Sequence, residues 1–206
     1  MFSFSARTSA PTRLLGSALL LAAFLVIVPR PAASAQPGPL RYTLDAAASS
    51  VHARVGFFGI ASKTARFPAM SGGIELDPER LGTIRLEVLL DARALEAGDT
   101  VTLARLKGPD FFDVEHYPAV RFLGHRMSMT GPVSATIDGD LTARGVTRPA
   151  RLAVTFTNPP AQASGRQPLR LSARTTIDRT AFGMTAYPLI VSRKVTITID
   201  AQMSPA

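Results

Sequence analysis

From Ser50 to the end of the chain, hydrophobic and polar positions alternate with a period of two, in runs spaced to suit strands joined by tight turns. Val51, Ala53, Val55 and Phe57 share one side of the first clear run, against His52, Arg54 and Gly56. Ile84, Leu86, Val88 and Leu90 share one side of the second, and Leu152, Val154 and Phe156 one side of a third. In Leu169 to Asp178 the inward set is Leu169, Leu171, Ala173, Thr175 and Ile177; in the last run it is Val195, Ile197, Ile199, Ala201 and Met203. Weaker strands are predicted at 41–44, 63–67, 73–76, 119–129 and 133–143. Asp77 with Pro78, Gly131 with Pro132, and Asn158 with Pro159 and Pro160 mark turns between runs. One stretch reads as a helix, Thr100 to Lys107, capped by Asp99 and stopped by Gly108 and Pro109.

Strands buried on both faces would read as continuous apolar runs, so this one-sided pattern predicts an antiparallel sheet. About eight to ten such strands must hide their edges, by closing into a barrel or by stacking as a sandwich. Alternation gives neither the choice between these nor whether the apolar side of a barrel faces inward. After residue 35 there are 8 Phe, 3 Tyr and no Trp, mostly in loops or single within strands, which is not the double aromatic girdle of an outer-membrane barrel. The apolar side is therefore expected inside, in a soluble protein. An eight-stranded barrel is just wide enough to fill itself or to hold one small ligand. Ala53, Ala173 and Ala201 leave room for a ligand, unless neighbouring Phe and Leu side chains occupy it.

The N-terminus departs from this pattern. Residues 1–35 carry Arg7, Arg13 and Arg30 and no acid, a 15-residue apolar run from Leu14 to Val28, and then Pro29, Pro31 and the small residues Ala33, Ser34 and Ala35. These are the three parts of a secretory signal peptide, with cleavage expected after Ala35. A 15-residue run is short of the roughly 20 residues a membrane-spanning helix needs. The expected organisation is thus a signal peptide over 1–35 and one domain over 36–206, periplasmic or secreted. This changes the charge. The whole chain of 206 residues has 23 Lys and Arg against 15 Asp and Glu, a net +8, of which +5 remains after cleavage.

Zero cysteines exclude disulfide scaffolds, thiolate metal sites and thiol catalysis. His52 and His125 fall in strands, and no serine sits in a nucleophile-elbow pattern. The one cluster with ligand-like chemistry is Asp110, Phe111, Phe112, Asp113, Val114, Glu115 and His116. Three acids and a His could form an oxygen-rich cation site. The stronger reading is structural, with acids capping a further turn and the two Phe anchoring the loop to the core. Asp138, Gly139 and Asp140 likewise read as a sheet irregularity near a turn. No phosphate loop or dinucleotide fingerprint is present. The Arg residues are spread along the strands with no interleaved aromatics, which argues against nucleic acid; a net +5 suits an anionic membrane surface better. No catalytic residue, metal site or cofactor is expected.

Several segments in order resemble the YceI-like family of bacterial polyisoprenoid-binding proteins. They are Tyr42 to Asp45 with Ser49 to His52; Gly59, Ile60, Arg66 and Phe67; and Ser71 to Asp77. The most specific block is Leu106 to Pro118, supported by Gly139 to Thr142, Gly145 to Pro149 and Ile177 to Met184. The resemblance implies an extended antiparallel, eight-stranded, lipocalin-like β-barrel whose apolar interior holds a long isoprenoid or similar lipid. It also makes the Asp110 to Pro118 loop a structural feature of the family. The chain departs from the family's pattern at Phe57, where a His is usual, and at Thr102, Leu103 and Arg105, where an Arg, an Asp and a His are usual. A more apolar or differently headed ligand is left open at these positions.

Together these readings predict an exported, non-enzymatic protein that sequesters or carries a polyisoprenoid, such as an isoprenoid quinone or prenol, or a fatty lipid. The expected ligand-binding residues are Val51, Val55, Phe57, Ile84, Leu86, Val88, Phe122, Phe156 and Ile197. The alternatives are an accessory to a membrane redox system and an interaction module with a filled barrel. A homodimer is left open.

Overall fold

The computed structural model describes residues 38–206. The expected signal peptide lies outside the described residues. Eleven strands follow in chain order: β1 (Leu40–Leu44), β2 (Ser50–Phe57), β3 (Ala61–Arg66), β4 (Met70–Leu76), β5 (Thr83–Asp91), β6 (Glu96–Ala97), β7 (Ala119–Met129), β8 (Ser134–Ala143), β9 (Val146–Phe156), β10 (Leu169–Asp178) and β11 (Val191–Pro205). One α-helix, α1 (Thr100–Lys107), lies between β6 and β7.

Eight of the strands close into an antiparallel ring in the order β1-β4-β5-β7-β8-β9-β10-β11, with β11 pairing back to β1. This is the eight-stranded barrel that the family resemblance implied, built from the antiparallel strands that the alternation predicted. Closure uses only the end of β11, where Met203, Ser204 and Pro205 pair with Leu44, Thr43 and Tyr42. The rest of the same edge, from Val191 to Asp200, pairs with β2. From there β3 and β6 continue the sheet as a branch, so the wall is prolonged past the ring on that side.

Alternation is most regular in β8, where Ala135, Ile137, Gly139, Leu141 and Ala143 are buried and every intervening residue is half-exposed. The irregularity expected around Asp138 to Asp140 is real but falls in mid-strand, not near a turn. Gly124 pairs with Gly139 and Arg126 with Asp138, which leaves His125 as the extra residue of a bulge. A side chain at Gly139 would stand 2.2 Å from the Leu123 carbonyl oxygen and 2.7 Å from the Phe122 ring, so this close approach requires glycine. Asp138 itself is engaged by Arg151 on β9, at 2.5 Å.

One seam of the ring is short. β9 pairs with β10 only over Ala153 to Phe156, whereas β8 and β9 pair over ten residues. Pro149, which lacks an N–H, therefore sits where β9 has a neighbour on one side only. A 3₁₀ turn, Arg179–Phe182, fills the space beside this open edge, and Phe182 is buried there.

α1 has the limits the sequence predicted. Asp99 accepts from the Thr102 N–H at 2.7 Å and from the Lys63 ammonium at 2.8 Å, and this lysine first of all holds its carboxyl far below the usual carboxylate range. Asp178 caps the 3₁₀ turn in the same way. Bonds from the Thr180 hydroxyl and N–H, then from Arg193, lower it from 3.8 to about 2. Both groups have depressed folded-state pKa values, so their stabilisation is present above the unfolded value and is lost as pH falls through the folded one. Denaturant unfolding should therefore weaken between pH 4 and pH 2, and Asp178→Asn should flatten that fall. An identical pH profile for the variant would show that this cap does not contribute.

Candidate functional site

Inward-facing side chains from the strands enclose an apolar cavity running along the barrel. Four residues of β10 between Leu171 and Ile177 and five of β11 between Val195 and Ala201 border it, and each stretch spans about 20 Å at roughly 3.3 Å per residue. The volume open to the centre of a water-sized sphere is about 160 Å³. One water needs about 10–15 Å³ on that measure, so this is the space of a ligand and not of a packing defect. Ala53, Ala143, Ala150, Ala173 and Ala201 line it, and their small side chains are what keeps the barrel hollow. Of the two interiors left open by the sequence, the described barrel has the hollow one over this length.

Four lining residues are of polar type, Ser49, Thr175, Arg179 and Asp200, yet the wall presents no polar surface to the cavity. Two of them, Ser49 and Arg179, have polar partners outside the cavity. The Ser49 hydroxyl accepts from the Gln202 N–H at 3.0 Å. Arg179 is 3% exposed and donates to three backbone carbonyls, those of Ser192 and Val191 at 2.9 Å each and that of Met184. Burial lowers its pKa, partly offset by neighbouring Asp178. Its partners Val191 and Ser192 lie where the β11–β2 register shifts between Val191 and Val195. The guanidinium thus supplies donors to a bulge whose carbonyls leave the ladder.

One end of the barrel is packed. Tyr42, Leu76, Ile84 and Met127 are each at most 2% exposed there and none lines the cavity. The other end is covered by the loop after α1. Phe112 enters the cavity from that loop and meets Phe67 edge-on at 5.8 Å, while Phe111 stacks on Tyr187 and lies under Arg179. The Phe pair anchors the loop as the sequence suggested. Asp113 accepts from His116 Nδ1 at 2.9 Å, a bond that raises the His116 pKa. Among the described residues no group of three His, Cys, Asp or Glu side chains converges as a metal site would require.

Of the nine residues predicted to bind ligand, Val51, Leu86, Val88, Phe122, Phe156 and Ile197 line the cavity. Val55, Phe57 and Ile84 do not. Ile84 faces inward but at the packed end, opposite Leu76. Val55 pairs with the cavity-lining Val195 without itself reaching the cavity, and Phe57 lies at the end of β2, against Phe58 and under the Lys63 ammonium. Sequence reasoning left out Phe67, Phe112, Phe182 and Met184, which reach the cavity from loops, where no period marks them. At the positions that depart from the family pattern, Thr102 bonds the helix cap, Leu103 packs on the core, and Arg105 donates to the Tyr187 hydroxyl at 2.6 Å.

Comparison with solved structures gives the same barrel. BcnA of Burkholderia cenocepacia superposes with a TM-score of 0.69 at 21% identity, over 77% of this chain and 98% of that one. A domain from Saccharophagus degradans, described as polyisoprenoid binding and implicated in plant cell wall breakdown, gives 0.62 at 16% identity, over 81% and 99%. At these identities the likeness is one of fold. In sequence, a UPF0312 protein of Vibrio vulnificus is 26% identical over 117 residues, 56% of this chain and 62% of the relative, so the match spans less than two thirds of that protein. A UPF0312 protein of Pseudomonas putida is 25% identical over 131 residues, 64% and 68% of the two chains. The YceI-like domain model matches residues 42–203, from the first strand of the ring to the last, and the chain belongs to that family.

Proposed function

We propose that the protein binds a single long-chain lipid of the polyisoprenoid or fatty kind, with its tail in the barrel and its head group outside the apolar wall. The observation that carries this reading is the cavity, which is long, narrow and without polar surface. Burying about 20 tail carbons at ~0.8 kcal/mol each would yield on the order of 15 kcal/mol before ordering and lost free motion are subtracted. That surplus suffices for stable sequestration without a polar contact. The description of the Saccharophagus degradans domain as polyisoprenoid binding supports the same ligand class.

Binding, and not catalysis, is the activity proposed. The three histidines serve the sheet and loops: His52 pairs across strands with Thr198 and Arg66, His125 forms the bulge and His116 bonds Asp113. A periplasmic or secreted location is proposed on the composition of residues 1–35. Native mass spectrometry of protein recovered from its own host tests the ligand reading, with one isoprenoid or acyl lipid per chain expected. Protein that is consistently empty, and that takes up no prenol, isoprenoid quinone or fatty acid, would remove it.

A further inference from the structure

The barrel end opposite the packed one carries a group of bare hydrophobic side chains. Ile60 is 95% exposed, Leu189 96% and Phe58 60%. They belong to two different loops, the β2–β3 turn and the segment leading into β11, which are held side by side by the Phe58 N–H donating to the Ile190 carbonyl at 2.8 Å. Phe58 and Tyr187 have positive φ, of 53° and 54°, as does Gly59 at 72°. Two non-glycine residues thus hold left-handed backbone in the loops that project these side chains.

The two segments that carry these side chains hold basic residues and no acid. Residues 54–66 contain Arg54, Lys63 and Arg66 and no acid, residues 183–194 contain Arg193 and Lys194 and no acid, and α1 adds Arg105 and Lys107. The acids that approach are Asp99 on Lys63, Asp178 on Arg193 and Glu96 across from Arg66, with Asp110, Asp113 and Glu115 in the loop after α1, where Asp113 is taken by His116. Arg54 donates to the Ser62 hydroxyl and Arg105 to the Tyr187 hydroxyl, neutral partners in both cases.

We infer that this tip docks the protein on an anionic lipid bilayer: Phe58, Ile60 and Leu189 enter the headgroup–acyl boundary and the ring of Arg and Lys engages lipid phosphates. An exposed apolar cluster of this kind is out of place in water. Basic residues around inserted apolar ones form the two-part attachment that interfacial proteins use. Neighbouring apolar side chains on a neutral surface would fit a protein partner equally well; the acid-free, basic segments that carry them select the bilayer. Docking here is independent of what fills the cavity. It sets the covered end of the barrel, with Phe111 and Phe112, toward the membrane.

The absence of cysteine makes the test local. Ile60→Cys, Leu189→Cys and, on the outer barrel wall, Leu89→Cys each carry a polarity-sensitive fluorophore, and vesicles of phosphatidylcholine with phosphatidylglycerol are added. A blue shift at 60 and 189, absent at 89, weaker on pure phosphatidylcholine and reduced by salt, is the expected result. With the fluorophore at 189, Phe58→Ser should raise the lipid concentration needed about tenfold or more. No shift at 60 and 189, or an equal shift at 89, overturns the inference. So does a shift that follows protein concentration without vesicles, which would assign the tip to a second copy of the chain. Lipid recovered with the protein reads the cavity alone, so the two proposals fail separately.

Discussion

Ala173→Phe protein, purified from the same host as the parent, should carry little or no lipid. Ala173 lies in mid-barrel on β10, between Val154 on β9 and Ile199 on β11, and its methyl group faces the cavity. A phenylalanine adds about six carbons there and displaces a similar length of tail, which at ~0.8 kcal/mol per carbon removes ~5 kcal/mol, or about three orders of magnitude in affinity. Enlarging a residue in a filled core costs about 1–3 kcal/mol, but here the ring enters empty space, so thermal stability should stay near that of lipid-free parent. Leu89→Phe, on the outer face, is the matched control and should keep its lipid. Wild-type lipid content in Ala173→Phe, measured by native mass spectrometry, would place the ligand elsewhere.

Arg179→Met should lower the melting temperature more than any surface substitution. Three backbone carbonyls, two of them in buried bonds, lose their donors at once, at about 1–3 kcal/mol each for the buried pair, while removal of a buried charge returns part of that. A net loss of about 4 kcal/mol corresponds to roughly 10 °C in a domain of this size. Lysine should not rescue the variant, because a single ammonium does not reproduce the planar fork that reaches the carbonyls of Met184, Val191 and Ser192 together. Circular dichroism melting of both variants reads this directly. Melting within 2–3 °C of the parent would mean that the β11 bulge is held by the ladder alone.

The sequence made the strands legible because side chains alternate across a sheet whatever lies beyond it. It marked α1 to the residue, since the Asp99 cap and the Gly108 stop act locally. Period two reports which face a residue takes but not how far along the barrel it lies. For that reason Ile84 was placed among the ligand-binding residues although it belongs to the packed end, and Phe57 although it lies at the outer tip. The division of one β11 edge between β1 and β2 is a long-range pairing that no local pattern records. The two-residue β6 is too short to show a period. Loop residues such as Phe112 and Met184 reach the cavity by tertiary folding; their segments stand out in the sequence, but no period marks these side chains as facing inward.

A wall with no polar surface also has no mark along its length. A tail inside it finds no hydrogen bond at any one depth, so nothing fixes its axial position, and a cis double bond, a methyl branch or a saturated stretch differ only in the shape they fill. Discrimination of that kind is shallow, about 1–3 kcal/mol per methylene. Affinity should climb with each carbon added until the cavity is full and then level off, so the barrel acts as a gauge of chain length and thickness more than a reader of chemical identity.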